Sequence, residues 1–107
     1  MKFIEYLIPL DSNSRYRHYH VSEKGKIVEF CIQYEIYVDD KWYPAVRYDT
    51  AHGFAHRDFM DFNGVTSKTP LFISDYNEAL IPLSGTESDI KTNWEIYKKR
   101  FIGGYNE

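Results

Sequence analysis

Between Ile27 and Val38 the chain alternates strictly, with Val28, Phe30, Ile32, Tyr34, Ile36 and Val38 on one side and Glu29, Cys31, Gln33, Glu35 and Tyr37 on the other. A period of two over a dozen residues predicts a long strand with one buried face. Tyr16–Val21 before it and Trp42–Thr50 after it are rich in aromatic and β-branched residues, which suit strands. The turn formers Ser22–Lys26 and Asp39–Lys41 separate these runs, and connections this short imply antiparallel hairpins. A turn around Gly53 leads into Ala55–Phe62, which ends at Asn63-Gly64. With Lys2–Ile8 as an additional strand, the pattern predicts a four- to five-stranded meander.

After Gly64 the period changes. Ser74 or Asp75 caps a short predicted helix over Tyr76–Leu80, stopped by Pro82, because proline lacks the backbone donor and clashes with the preceding turn. A longer helix follows. Ser84-Gly85-Thr86-Glu87 has the capping-box spacing, with Thr86 or Ser88 as alternative caps, and Ile90, Trp94, Tyr97 and Phe101 recur along one helical face. Lys98, Lys99 and Arg100 suit the negative end of the helix dipole, and Gly103-Gly104 supplies a stop. The expected fold is α+β: one domain over residues 1–107, an antiparallel meander sheet with the C-terminal helix packed on its apolar face.

Composition narrows the function classes. At 107 residues, 43% of them apolar, the chain suits one compact domain and excludes a two-domain enzyme or a disordered segment. A net charge of −3 argues against coating nucleic acid by bulk electrostatics, though it leaves room for a local basic patch. The single Cys31 allows neither an internal disulfide nor a cysteine zinc cage, and its apolar flanks read as a buried, inert thiol. The lack of a run of ~18 apolar residues or a signal-peptide pattern gives the cytoplasm as the expected compartment, with no membrane partner. The sequence has no Gly-rich phosphate loop, GxSxG elbow or dinucleotide fingerprint.

The polar residues converge if the strands pair in the simplest registers. Pairing Val38 with Trp42 sets Tyr34 opposite Val46 and Ile32 opposite Tyr48 on the apolar side, with Gln33 opposite Arg47 and Cys31 opposite Asp49 on the polar side. Pairing Ser22 with Ile27 sets Tyr16 opposite Gln33, His18 opposite Cys31 and His20 opposite Glu29. Pairing Asp49 with His56 sets Arg47 opposite Asp58. Two polar rows then cross the sheet: His18, Cys31, Asp49, His56 and Tyr16, Gln33, Arg47, Asp58. Local turn geometry alone brings Asp49, His52 and His56 together.

The segment from Arg47 to Asp58 holds two histidines, two aspartates and two arginines. One reading is acid–base chemistry on a phosphodiester, in which His56 or His18 moves a proton, Arg47 or Arg57 stabilises phosphoryl charge, and Asp49 fixes the imidazole tautomer. Tyr16, Tyr37 and Tyr43 would stack bases. A second reading makes Asp49, His52, His56 and Asp58 a mononuclear metal site, although the familiar histidine pair of this spacing sits on a helix and not around a glycine turn. In a third, Asp49 and His52 hold the turn while Arg47 and Asp58 form a cross-strand ion pair.

The stretch Arg47-Tyr48-Asp49-Thr50-Ala51-His52-Gly53, continuing to His56-Arg57-Asp58, resembles the signature of a family of small prokaryotic proteins of unknown function. Asp89-Ile90-Lys91-Thr92-Asn93-Trp94 through Tyr97 resembles that family's C-terminal helix. More distantly, the chain is similar to TumE-like toxins of toxin–antitoxin pairs, which share a Tyr-Asp-x-Ala-His-Gly turn followed by further histidines. The nearer resemblance implies a fold and the suspect positions Asp49, His52, Gly53, His56 and Asp58. The farther one implies an antitoxin partner and an RNA target. The chain departs from the toxin pattern in having Asp58 where that pattern is richer in histidine, and in its net acidic charge.

The expectation is a toxin-like protein acting on RNA as a ribonuclease. His56, His52, Asp49, Arg47 and His18 would do the chemistry, Tyr16, Arg57 and Asp58 would meet the substrate, and no cofactor is called for. The alternative is a non-catalytic interaction module that binds a partner chain through a sheet edge or exposed tyrosines, its histidine turn serving the fold. An exposed edge also leaves a homodimer open.

Overall fold

The computed structural model describes residues 1–50, 56–61, 64–70 and 80–105. Six antiparallel strands lie side by side in chain order: β1 (Lys2–Asp11), β2 (Ser14–Glu23), β3 (Lys26–Val38), β4 (Lys41–Asp49), β5 (His56–Asp61) and β6 (Gly64–Pro70). One helix, α1 (Leu80–Tyr105), follows. The meander and the C-terminal helix match the sequence pattern, but the sheet is larger than four to five strands. The addition is β6, whose sequence Gly-Val-Thr-Ser-Lys-Thr-Pro has no apolar alternation to announce it. The short helix expected over Tyr76–Leu80 lies almost entirely outside the described residues.

Turn chemistry sets the registers. Lys24 and Gly25 have φ of 53° and 78°, and Asp39 and Asp40 have φ of 50° and 63°. Positive φ at both central residues marks the two-residue hairpin turn whose twist matches that of its strands, and aspartate tolerates this region better than most side chains. Val38 therefore pairs with Lys41, not with Trp42. A bulge between Tyr34 and Glu35 then restores the expected register, so Tyr34 faces Val46, Gln33 faces Arg47 and Cys31 faces Asp49.

The β2–β3 hairpin shifts the other way. Ser22 pairs with Ile27 as expected, but Val28 is bulged, and from Val21↔Glu29 onward every pair moves by one. Since side chains alternate, this slip carries a whole strand's set to the opposite face. His18 lies opposite Ile32, Tyr16 opposite Tyr34 and His20 opposite Phe30. The expected pairings of His18 with Cys31, Tyr16 with Gln33 and His20 with Glu29 do not form.

One face of the sheet receives α1, which packs on β3, β4 and β5. Tyr16, Phe30, Ile32, Tyr34, Ile36, Val46 and Tyr48 from the sheet join Ile90 and Phe101 from the helix in one buried cluster. Each such side chain contributes ~1.5–3 kcal/mol by leaving water. Pro82 does not stop a helix; it is the third residue of α1, where the first four N–H groups have no intrahelical partner and a missing donor costs nothing. Gly103 and Gly104 are likewise inside the helix, leaving Lys98, Lys99 and Arg100 upstream of its last turn. Lys98 reaches back to Asp11 at 2.7 Å and Arg100 lies over the Phe59 ring, so these cations anchor the helix to the sheet instead of serving its dipole.

Candidate functional site

On the face away from α1, the rows across β3, β4 and β5 form as the sequence predicts. Cys31, Asp49 and His56 align, as do Gln33, Arg47 and Asp58. His56 Nε2 lies 2.8 Å from Asp49 Oδ1 and 3.4 Å from Asp58 Oδ2. All three residues are buried, and His56 is only 1% exposed. An imidazole whose Nε2 faces two carboxylates, with almost no surface, links β4 to β5 and presents little to a substrate. Asp49 also lines a pocket of about 360 Å³ beside the Val28 bulge, together with Val28, Glu29, Phe30, Cys31 and Thr50. Burial, and then Asp49, push the Cys31 thiol up to about 11, so it stays protonated at neutral pH.

Because of the bulge, Arg17 and Tyr19 occupy the places opposite Gln33 and Cys31 expected for Tyr16 and His18, and Arg15 stands opposite Glu35. Arg15 Nε donates to Glu35 Oε1 at 2.7 Å, and Arg17 Nε lies 3.5 Å from Glu35 Oε2. Arg47 Nε donates to Gln33 Oε1 and Gln33 Nε2 donates to Glu35 Oε2. Three arginines are thus tied into one chain around Glu35 and do not form an open cationic patch. Arg15 also covers the Trp42 ring at 3.8 Å. Sequence reasoning missed Arg15, Arg17 and Glu35; their one available signal was alternation within Ser14–Glu23, and that depended on the register.

Arg57 faces the helix side, opposite Tyr48 and over the Phe59 ring, and so is separated from Asp58 and His56. Tyr43, expected outside, packs on Phe101. His52 lies outside the described residues. Among the described residues no group of three or more His, Cys, Asp or Glu side chains is arranged to hold a metal ion.

The helix face carries two polar anchors. Asp89 accepts from Tyr48 Oη, Tyr97 Oη and Asn93 Nδ2. Burial, followed by this carboxylate, raises the Tyr48 phenol. Those residues join the two sequence segments singled out above, Arg47–Asp58 and Asp89–Tyr97, by direct contact.

The second anchor gathers Tyr6, Tyr16, His18, His20 and Glu87. Tyr16 Oη donates to Glu87 Oε2 at 2.6 Å and Tyr6 Oη to Oε1 at 2.8 Å. His18 Nδ1 lies 3.0 Å from the same Oε1, and its Nε2 is 2.6 Å from His20 Nδ1. The Tyr6 ring stacks on His18 with centroids 4.4 Å apart. His18 and Tyr16 are therefore brought together with each other, but not with Asp49, Arg47 or His56.

The electrostatics of this cluster give it a pH dependence. Burial would raise the Glu87 carboxyl, but hydrogen bonds from Tyr16 and Tyr6 outweigh it and the net shift is downward from 4.5. Burial lowers His18 from 6.5, with the attraction of Glu87 opposing and His20 reinforcing the shift. The unfolded chain thus binds more protons than the folded one in both windows, and stability rises with pH there. The His18 contribution is complete above about 6.5 and is lost as pH falls toward the lower folded value; that of Glu87 is complete above about 4.5 and is lost below it. Thermal unfolding is expected to show Tm falling on acidification from pH 7.5 to 5.5, with the fall reduced in His18→Gln. A Tm that rises over that interval would contradict this assignment.

Among the described residues no helix is long and apolar enough to cross a membrane. No curated protein and no solved structure matches the chain. The family model for a domain of unknown function, DUF7718, matches residues 1–107, and the chain belongs to that family.

Proposed function

We propose that this protein is an interaction module that captures an extended segment of a partner chain along β1. The supporting observation is the edge itself: among the described residues β1 is paired with β2 alone, through nine of its ten residues, and Phe3 and Leu7 stand 62% and 45% exposed. An unpaired edge of this length offers backbone donors and acceptors to an incoming strand, and alternate side chains give it specificity. β1 has little of the usual protection, since its one lysine is at the first position and its one proline near the far end. On this reading the clamp of Asp49, His56 and Asp58 serves the fold.

Leu7→Lys tests the surface without touching the core. It is expected to change stability by no more than ~0.5 kcal/mol while abolishing recovery of the partner with the tagged chain from its native host. Undiminished recovery would remove β1 from the account.

A second reading, a toxin-like protein acting on RNA and held in check by an antitoxin, draws support from the placement of Arg47, Asp49, His56 and Asp58 on one face. It requires His56 to exchange protons with a substrate that its burial keeps away. Inducible expression in a bacterial host discriminates the two: growth arrest with RNA loss from the wild type, absent in a folded His56→Gln chain, supports the RNA reading.

A further inference from the structure

We propose that Glu87, His18 and His20 form a proton relay whose working end is Nε2 of His20, a general base for a hydroxyl group reacting at an ester. This goes beyond partner capture and is independent of it.

The argument starts at the carboxylate. Ionised Glu87 is only an acceptor, and it already receives the Tyr6 and Tyr16 hydroxyls. The buried His18 Nδ1 lies 3.0 Å from Oε1 in an ion-pair contact and makes no hydrogen bond among the described residues. Nδ1 must therefore carry the proton, since two acceptors at this distance would repel. Neutral His18 then has a bare Nε2, and the 2.6 Å contact to His20 Nδ1 requires His20 to be the donor. Neutral His20 is left with its own Nε2 unprotonated. His18 is buried whereas His20 is half-exposed, so the chain of hydrogen bonds runs from an anchored carboxylate outward to an accessible base. A second partner that fixes the tautomer of an imidazole is what general-base sites use.

In the reaction, Nε2 takes the proton of a water or substrate hydroxyl as its oxygen bonds to the acyl or phosphoryl centre. The proton returns to the leaving oxygen as that bond breaks. Charge gained by His20 is shared with His18 and balanced by Glu87. Lys2 lies opposite Ser22 on this face, and Lys91, one turn along α1, acts electrostatically on Glu87. His20 is the residue that meets the substrate; His18 and Glu87 are positioning residues.

Diethyl pyrocarbonate, which acylates unprotonated imidazole nitrogen, is the probe. At pH 7.5 His20 is expected to be modified at Nε2 several-fold faster than a histidine in the unfolded chain, and Glu87→Gln is expected to remove that excess. Long-range 15N–1H correlation spectra should show protonated Nδ1 on both His18 and His20 in the wild type, and a changed His20 tautomer in Glu87→Gln. Modification of His20 no faster than in the unfolded chain, or a proton on its Nε2, would overturn the relay.

Discussion

Replacing His56 with alanine is expected to destabilise the fold by about 3–5 kcal/mol, the range for leaving buried charges without their partner. Asp49 Oδ1 and Asp58 Oδ2 both approach His56 Nε2 and both residues are buried. Removal of the ring leaves two buried carboxylates facing each other without the imidazole between them, with Lys68 4.0 Å from Asp58 on its other oxygen. For a chain of this size each kcal/mol corresponds to ~4–8 °C in Tm, so the loss is large in a thermal scan. Asp58→Asn in the His56→Ala background removes one of the two facing charges and should recover part of the stability. A His56→Ala chain within about 1 kcal/mol of wild type would mean that the ring is not a lock, and would return it to the list of catalytic candidates.

Phe101→Ala is expected to cost about 3–5 kcal/mol, since the side chain is 2% exposed among Tyr43 and the sheet core and truncation leaves a cavity there. Against a total stability of ~5–15 kcal/mol, the loss should loosen the last turns of α1 before the sheet melts. Amide exchange through α1 should accelerate more than exchange in β3. Ile96→Ala, on the same helix but 64% exposed, should stay within ~0.5 kcal/mol. Equal effects at Phe101 and Ile96 would contradict the helix orientation.

The sheet and the helix face were legible because their signals are local and periodic. Alternation marked β3, turn residues marked the hairpins, and the Ile90–Phe101 spacing marked the buried stripe of α1. The pairing of Asp49 with His56 and Arg47 with Asp58 followed from alternation across one turn. What stayed hidden was the Val28 bulge, an extra residue with no sequence signature. That one residue moved Tyr16, His18 and His20 to the helix side and put Arg15 and Arg17 outside. The compensating bulge near Ala45 was equally invisible, but it cancelled a two-residue turn at Asp39-Asp40 and left the expected pairs intact. The cluster around Glu87 joins β1 and β2 to α1 across 81 residues from Tyr6, a tertiary contact that no local pattern encodes.

Central to the account is that the open edge of β1 is where a partner docks. The most direct measurement is amide hydrogen exchange on the tagged chain purified with its partner from the native host, repeated after the partner is stripped. The account predicts slowed exchange concentrated in Lys2–Asp11 that disappears on stripping and never forms in Leu7→Lys. Protection centred on Arg47 and Asp58 with β1 unchanged would contradict it and make the outer face the functional surface.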